Sequence, residues 1–211
     1  MTRIIVTRHG HVEWIAPERF RGRADLPLSV VGRRQIAVTA QRISSGCKPA
    51  AVYSSPMRRC IDTARAIAIR VGLEVRPEEG LNDIDYGEWQ GTTREEARQR
   101  WPDEVDCWFK TPHLVSIPHG ETLATLFARS TAALSAIVRR HFGDTIVIVG
   151  HDSVNRVLLL HALDLPLSRY WHLKQEPCGV SELTFEDGSF IVRTMNETHH
   201  LAGISHEGGA D

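Results

Sequence analysis

Three times in this chain a short apolar run stops on a polar turn and gives way to helical spacing. Ile4-Ile5-Val6 ends at Arg8-His9-Gly10, and Ala51-Val52-Tyr53 ends at Ser54-Ser55-Pro56. Thr145-Ile146-Val147-Ile148-Val149, the strongest strand signal present, ends at Gly150-His151-Asp152-Ser153. These runs are too short for helices and two are rich in β-branched side chains, so they read as buried strands. Strands alternating with helical segments predict an α/β fold around a mostly parallel central sheet. In such a sheet ligands bind beyond the carboxyl ends of the strands, which directs attention to Arg8, His9 and His151.

The segments between the strands carry helical punctuation. Ser29 is placed to cap a helix over 30–45 that Gly46 ends, Met57 to Val71 keeps helical spacing up to Gly72, and Glu121 to His141 is closed by Gly143. Val154 to Ala162 resumes the same spacing, and two short helices, Thr92–Trp101 and Asp103–Lys110, are divided by Pro102. Leu73-Glu74-Val75 reads as a further strand, and Leu183–Phe185 with Phe190–Val192 reads as a C-terminal hairpin about Glu186-Asp187-Gly188. Trp14 to Pro27 is a long loop expected over the cleft mouth. No linker or repeat divides the chain, so a single domain is expected over residues 1–201, with a disordered tail at 202–211.

Composition narrows the function. At 211 residues the chain suits one well-filled domain, and 25 basic against 26 acidic side chains leave a formal charge of −1. That balance argues against a nucleic-acid or membrane-surface partner, so any anion site must be local. Cys47, Cys60, Cys107 and Cys178 have no C-x-x-C spacing and suit reduced thiols in the cytoplasm. Met1-Thr2-Arg3 runs directly into the first strand, leaving no room for a signal peptide, and no apolar stretch has the length of a membrane span.

Histidines and arginines at strand ends suit phosphoryl chemistry. A neutral imidazole is a nucleophile toward phosphorus, and guanidinium groups match phosphate oxygens while neutralising their charge. A neighbouring cation such as Arg8 also disfavours the imidazolium form of His9. The leaving alkoxide needs a proton, which calls for a carboxylic acid nearby.

These residues resemble the histidine phosphatase superfamily, which includes cofactor-dependent phosphoglycerate mutase, fructose-2,6-bisphosphatase and many small bacterial phosphatases. The resemblance runs over about residues 3–201 in the family's order. Arg8-His9-Gly10 falls on the phosphorylated histidine, and Phe20 to Ser29 with Gly32 is similar to F-x-G-x-x-D-x-P-L-S followed by glycine. Ser54 to Ala64 is similar to S-S-P-L-x-R-A-x-x-T-A, which implies Arg59 as a phosphate ligand with Arg58 as the neighbouring register. Leu81 to Gly91 resembles L-x-E-x-x-x-G-x-W-x-G and implies Asp83 as the general acid, with Asp85 and Glu88 as substitutes. Pro118 to Leu123 is similar to P-G-G-E-S, Val149-Gly150-His151 delivers the second histidine, and Asn196 to Leu201 resembles N-D-T-x-H-L.

The resemblance implies a three-layer α/β/α domain with a C-terminal hairpin, like that of phosphoglycerate mutase. It also implies a metal-independent phosphomonoesterase acting on a small anionic phosphate ester through a phosphohistidine on His9, with His151, Arg8, Arg59 and Asp83 completing the catalytic set. Arg21 and Arg23 on the mouth loop are expected to hold a second anionic group of the substrate. Trp14, Trp89 and His119 are candidates to line the pocket. The sequence departs from the family at Ile15, where the mutase branch carries an asparagine, at Asp83, where glutamate is commoner, and at His119 and Asp152, which replace glycines. No metal and no cofactor are expected; His9-x-His11 is a weak metal signal because no partner carboxylate is placed by the spacing. Phosphoglycerate mutase and a catalytically weak phosphate-binding module are the alternatives, and the short span from Thr92 to Gly120 disfavours the mutase. A homodimer is the base-rate expectation.

Overall fold

The alternation of apolar runs and helical segments becomes, in the computed structural model, twelve regular elements among the described residues, 1–15 and 17–204. In chain order they are β1 (Thr2–Arg8), α1 (Val30–Gly46), β2 (Ala51–Ser54), α2 (Arg58–Val71), β3 (Val75–Pro77) and α3 (Arg94–Arg100). They continue with α4 (Pro102–Lys110), α5 (Leu123–Arg140), β4 (Thr145–Gly150), α6 (Asp152–Ala162), β5 (Val180–Glu186) and β6 (Ser189–Glu197). The sheet runs β3-β2-β4-β1-β5-β6. Its first four strands are mutually parallel, and β5 and β6 are antiparallel additions at one edge.

Burial on both faces explains why the central strands are apolar without alternation. Ile4, Val6, Tyr53, Ile146 and Ile148 face one core with Leu126, Leu134 and Ile137 of α5 and Val154, Val157 and Leu158 of α6. Ile5, Val52, Val147 and Val149 face a second core with Ala40 and Ile43 of α1 and Cys60, Ala64 and Ile67 of α2. The result is the expected three-layer α/β/α arrangement.

Register brings the polar turns together. Arg8 pairs with Gly150 across β1 and β4, and Ser54 pairs with Val149 across β2 and β4. The ladder extends one step further: His9 N–H donates to the Gly150 carbonyl at 3.0 Å, and Ser55 N–H donates to Val149 at 3.1 Å. His9, Ser55 and His151 therefore leave the sheet at the same edge. α1 packs directly behind this edge because Gly32 has no side chain: a Cβ there would lie 2.1 Å from the His11 carbonyl oxygen.

Two elements differ from the sequence expectation. The strand expected at Leu73–Val75 forms at Val75–Pro77, because Gly72, at φ 70°, closes α2 and Leu73 N–H is spent on the Ala68 carbonyl. The terminal hairpin is longer than expected, since its strands pair from Val180 to Glu197 through register shifts that interrupt the alternation near Glu182. Beyond Leu201 the chain continues in a turn, with Ile204 N–H donating to Leu201 at 3.0 Å; the rest of the tail, residues 205–211, lies outside the described residues.

Candidate active site

Beyond the strand ends, five side chains converge. His9 is buried, and its Nδ1 lies 2.7 Å from the Gly10 carbonyl oxygen. A carbonyl only accepts, so Nδ1 carries the proton and the lone pair sits on Nε2. Burial, followed by the charges of Arg59 and Arg8, lowers the His9 pKa well below the usual imidazole range, which keeps the ring neutral near pH 7.

His151 meets His9 edge to face, with ring centroids 5.3 Å apart. Its pKa is likewise lowered well below the usual range, first by burial and then by Arg59 and Arg8. Arg59 Nε–H donates to His151 Nδ1 at 3.3 Å, so the proton of His151 is on Nε2 and donates to Ser55 Oγ at 2.9 Å. Ser55 passes its own hydroxyl hydrogen to Asn82 Oδ1 at 3.2 Å. This chain fixes the ring's orientation and tautomer together.

Arg59 is fully buried, and its fork is filled from three directions. Nη1 donates to the Ala24 carbonyl and Nη2 to the Gly22 carbonyl, each at 2.7 Å, and Nη2 also reaches Asp83 Oδ2 at 3.0 Å. The mouth loop is thereby tied to the base of the site. Arg58 points outward and pairs with Asp62 at 3.9 Å, so of the two neighbouring arginines it is Arg59 that enters the cluster. Arg8 donates from Nη1 to the Gln175 carbonyl at 2.6 Å, while its buried Nε has no hydrogen-bond partner among the described residues.

Asp83 is buried and uses both oxygens. Oδ2 faces Arg59 and lies 3.5 Å from His151 Nδ1, and Oδ1 accepts from Ser153 Oγ and from Ile84 N–H. Neither substitute acid reaches this cluster. Asp85 caps the turn at Gly87 N–H and faces Arg23 at 3.8 Å, and Glu88 pairs at the surface with His119 at 3.3 Å. The turn that brings Asp83 inward depends on Gly87, at φ 47°, where a Cβ would sit 2.1 Å from the Pro118 carbonyl oxygen.

A cleft of about 320 Å³ adjoins the cluster, and Arg8, Asp83 and Ser153 line it. Its walls are aromatic, from Phe20, Tyr86, Trp108, Phe109 and Trp171, and cationic, from Arg19, Arg21, Arg94, Arg156 and Lys174. Arg156 is committed to Asp152 and to the Tyr170 and Leu173 carbonyls, so it serves the wall itself. The residue following Trp14, Ile15, also lines the cleft.

Several sequence expectations are corrected here. Trp89 is buried in the core against Phe20 and Trp108, and Trp14 lies against Gly91 outside the cleft lining. The tryptophans of the cleft are Trp108 and Trp171. His119 is 83% exposed at its side chain and sits outside the cleft, and Arg23 pairs with Asp85 and Glu121 instead of lining it. Arg21 does line it, with Nη1 donating to the Trp14 carbonyl at 2.9 Å. The residues that sequence reasoning missed are Ser55, Ser153 and Gln175; each is a common polar residue whose partner is distant along the chain. Among the described residues no group of three His, Cys, Asp or Glu side chains is arranged to hold a metal ion, and no helix is long and apolar enough to cross a membrane.

An imidazole with one free nitrogen, held among cations at the ends of parallel strands, is suited to handling a phosphoryl group. Comparison with known proteins agrees. Residues 4–198 match the histidine phosphatase superfamily (branch 1), to which the chain belongs, and it is a phosphatase of that superfamily. Phosphoserine phosphatase 1 of Hydrogenobacter thermophilus is 32% identical over 95% of this chain and 95% of its own length. The structure of Bacillus stearothermophilus YhfR superposes with a TM-score of 0.90 at 30% identity, covering 95% of this chain and 100% of that one. The phosphoserine phosphatase of Entamoeba histolytica in complex with 3-phosphoglyceric acid gives 0.86 at 26% identity, over 95% of this chain and 100% of that one. The mutase alternative is less favoured: over nearly the whole chain, relatives named as phosphoserine phosphatases match at 32% and 29% identity, against 28% and 27% for those named as probable phosphoglycerate mutases.

Proposed function

We propose that this chain hydrolyses small anionic phosphomonoesters without a metal, through a phosphohistidine formed on His9. The observation that carries the reading is the tautomer of His9: with Nδ1–H committed to Gly10, the free lone pair is on Nε2, in a ring kept neutral by burial and neighbouring cations. His9 Nε2 attacks phosphorus, while Arg8, through the Nε that has no hydrogen-bond partner among the described residues, and Arg59 neutralise the phosphoryl oxygens. Arrival of the dianion favours the imidazolium of His151, whose Nδ1–H gives up the bond from Arg59 Nε and turns with it to the same oxygens. Asp83 protonates the leaving oxygen and later takes the proton of the water that cleaves the phosphohistidine.

The rest of the cleft supports a carboxylate-bearing leaving group. Arg21 and Arg94 line it without an ion-pair partner among the described residues, Arg94 resting on the Phe109 ring with its guanidinium carbon 4.0 Å from the centroid. Relatives named as phosphoserine phosphatases make phosphoserine the first ester to try. A cytoplasmic location suits the four free cysteines.

The test is phosphate release from a panel of small monoesters that includes phosphoserine and 3-phosphoglycerate, in chelator, with His9→Ala as the blank. We expect turnover by the wild type that disappears in the variant. Isomerised 3-phosphoglycerate with no free phosphate would make the chain a mutase. A folded wild type that binds vanadate without releasing phosphate would make it a binding module.

A further inference from the structure

Asp83 does not meet the cleft alone. Its Oδ2 is turned inward onto the Arg59 guanidinium, which has only N–H to offer it. A proton arriving on this carboxyl therefore goes to Oδ1, and the nearest side-chain partner of Oδ1 is the hydroxyl of Ser153. Ser153 is the second residue of α6, is itself buried, lines the same cleft as Arg8, and also lies 3.4 Å from Ile84 N–H. A hydroxyl both donates and accepts, whereas the guanidinium on the other oxygen only donates. An acid that must give a proton in one half-reaction and take one in the next needs a partner of the first kind.

We propose that Ser153 is a catalytic residue that carries the proton between Asp83 and the substrate, an inference that rests on the phosphohistidine reading above. In the first half-reaction the His9 Nε2–P bond forms and the P–O bond to the leaving group breaks. The leaving oxygen takes the Ser153 Oγ hydrogen while Oγ takes the proton of Asp83 Oδ1, leaving Asp83 as the carboxylate. In the second half-reaction water oxygen bonds to phosphorus and the N–P electron pair returns to Nε2. The proton of the water passes to Ser153 Oγ, whose own hydrogen returns to Asp83, and phosphate departs. The competing route is direct transfer from Asp83, with Ser153 only orienting the carboxyl.

The experiment compares kcat/KM of the wild type, Ser153→Ala, Ser153→Gly, Ser153→Thr and Asp83→Asn on an alkyl ester, phosphoserine, and on p-nitrophenyl phosphate, whose leaving group needs little protonation. General acid catalysis contributes roughly 10²–10⁴-fold. We expect Ser153→Ala and Ser153→Gly to lose about as much as Asp83→Asn on the alkyl ester and far less on the nitrophenyl ester. Ser153→Thr, which keeps the hydroxyl, recovers activity, and Ser153→Ala adds no further loss to Asp83→Asn. Equal losses on both esters, or an alkyl-ester loss well short of that in Asp83→Asn, would overturn the relay and leave the phosphohistidine reading intact. No turnover of either ester by the wild type would instead overturn the phosphohistidine reading, and the relay with it.

Discussion

Arg59 and Arg94 are cations beside one cleft, yet they are held in opposite ways. Arg59 is fully buried and hydrogen-bonded to Gly22, Ala24, Asp83 and His151, residues from three separate segments. Arg94 is exposed at the start of α3 and rests on one aromatic ring. The difference separates two tasks. Residues at the base of the site are fixed by strand register and mutual hydrogen bonds, so their geometry is set before any ligand arrives. Residues on the wall sit on short helices and loops, where a substitution changes what the cleft accepts without moving the strand ends.

Substitution at the two arginines is the strongest way to break this contrast. Arg59→Ala removes one partner from a buried pair and orphans two loop carbonyls, so we expect a stability loss of about 3–5 kcal/mol. The accompanying fall in kcat/KM is on the order of 10²–10³-fold, the scale for losing one preorganised donor. Arg94→Ala should raise KM for a carboxylate-bearing ester by about fivefold at most, the worth of an exposed charge contact, with little change in kcat. Urea unfolding and steady-state kinetics on both variants check this, and similar effects from the two would erase the distinction.

A smaller effect follows from the histidine pair. His9 and His151 both bind protons well below the usual range in the folded protein, chiefly because they are buried. In the unfolded chain the same rings titrate near about 6.5. As pH falls through that value the unfolded state binds more protons than the folded one, so stability is lost toward acid and is fully present above it. We expect the urea midpoint to drop between about pH 7.5 and 5.5, one unit either side of the free value, with a shallower drop in His9→Ala. A flat or rising midpoint would mean that the base of the site admits the charged rings.

The same contrast marks what the sequence made legible. β4 was readable because both of its faces are buried, which leaves Ile146, Val147, Ile148 and Val149 no polar alternation to obscure the strand. His9 and His151 were readable because each directly follows a strand, whereas Arg59 was placed only by the resemblance of Ser54 to Ala64 to the family's motif. Ser153 was not, since its partner Asp83 lies 70 residues away and nothing local marks a serine near a helix start as more than a capping residue. The cleft wall was misread for a related reason. Trp14, Trp89, Trp108 and Trp171 carry the same chemistry in sequence, and only the packing of α4 against the 167–172 turn decides that Trp108 and Trp171 face the cleft while Trp89 closes the core. The edge strand β6 was shortened because its exposed positions, among them Arg193 and Thr194, interrupt the apolar signal.

The central claim is that His9 takes the phosphoryl group, and the most direct measurement is to trap it. Wild-type protein is mixed with labelled phosphoserine, quenched in base within the first turnover, and its phosphorylated peptide identified. We expect one phosphoryl group per chain, stable in base and labile in acid, on the peptide holding His9, and none in His9→Ala. Phosphate released at the full rate with no labelled protein at any time point, or label on another residue, would contradict the account.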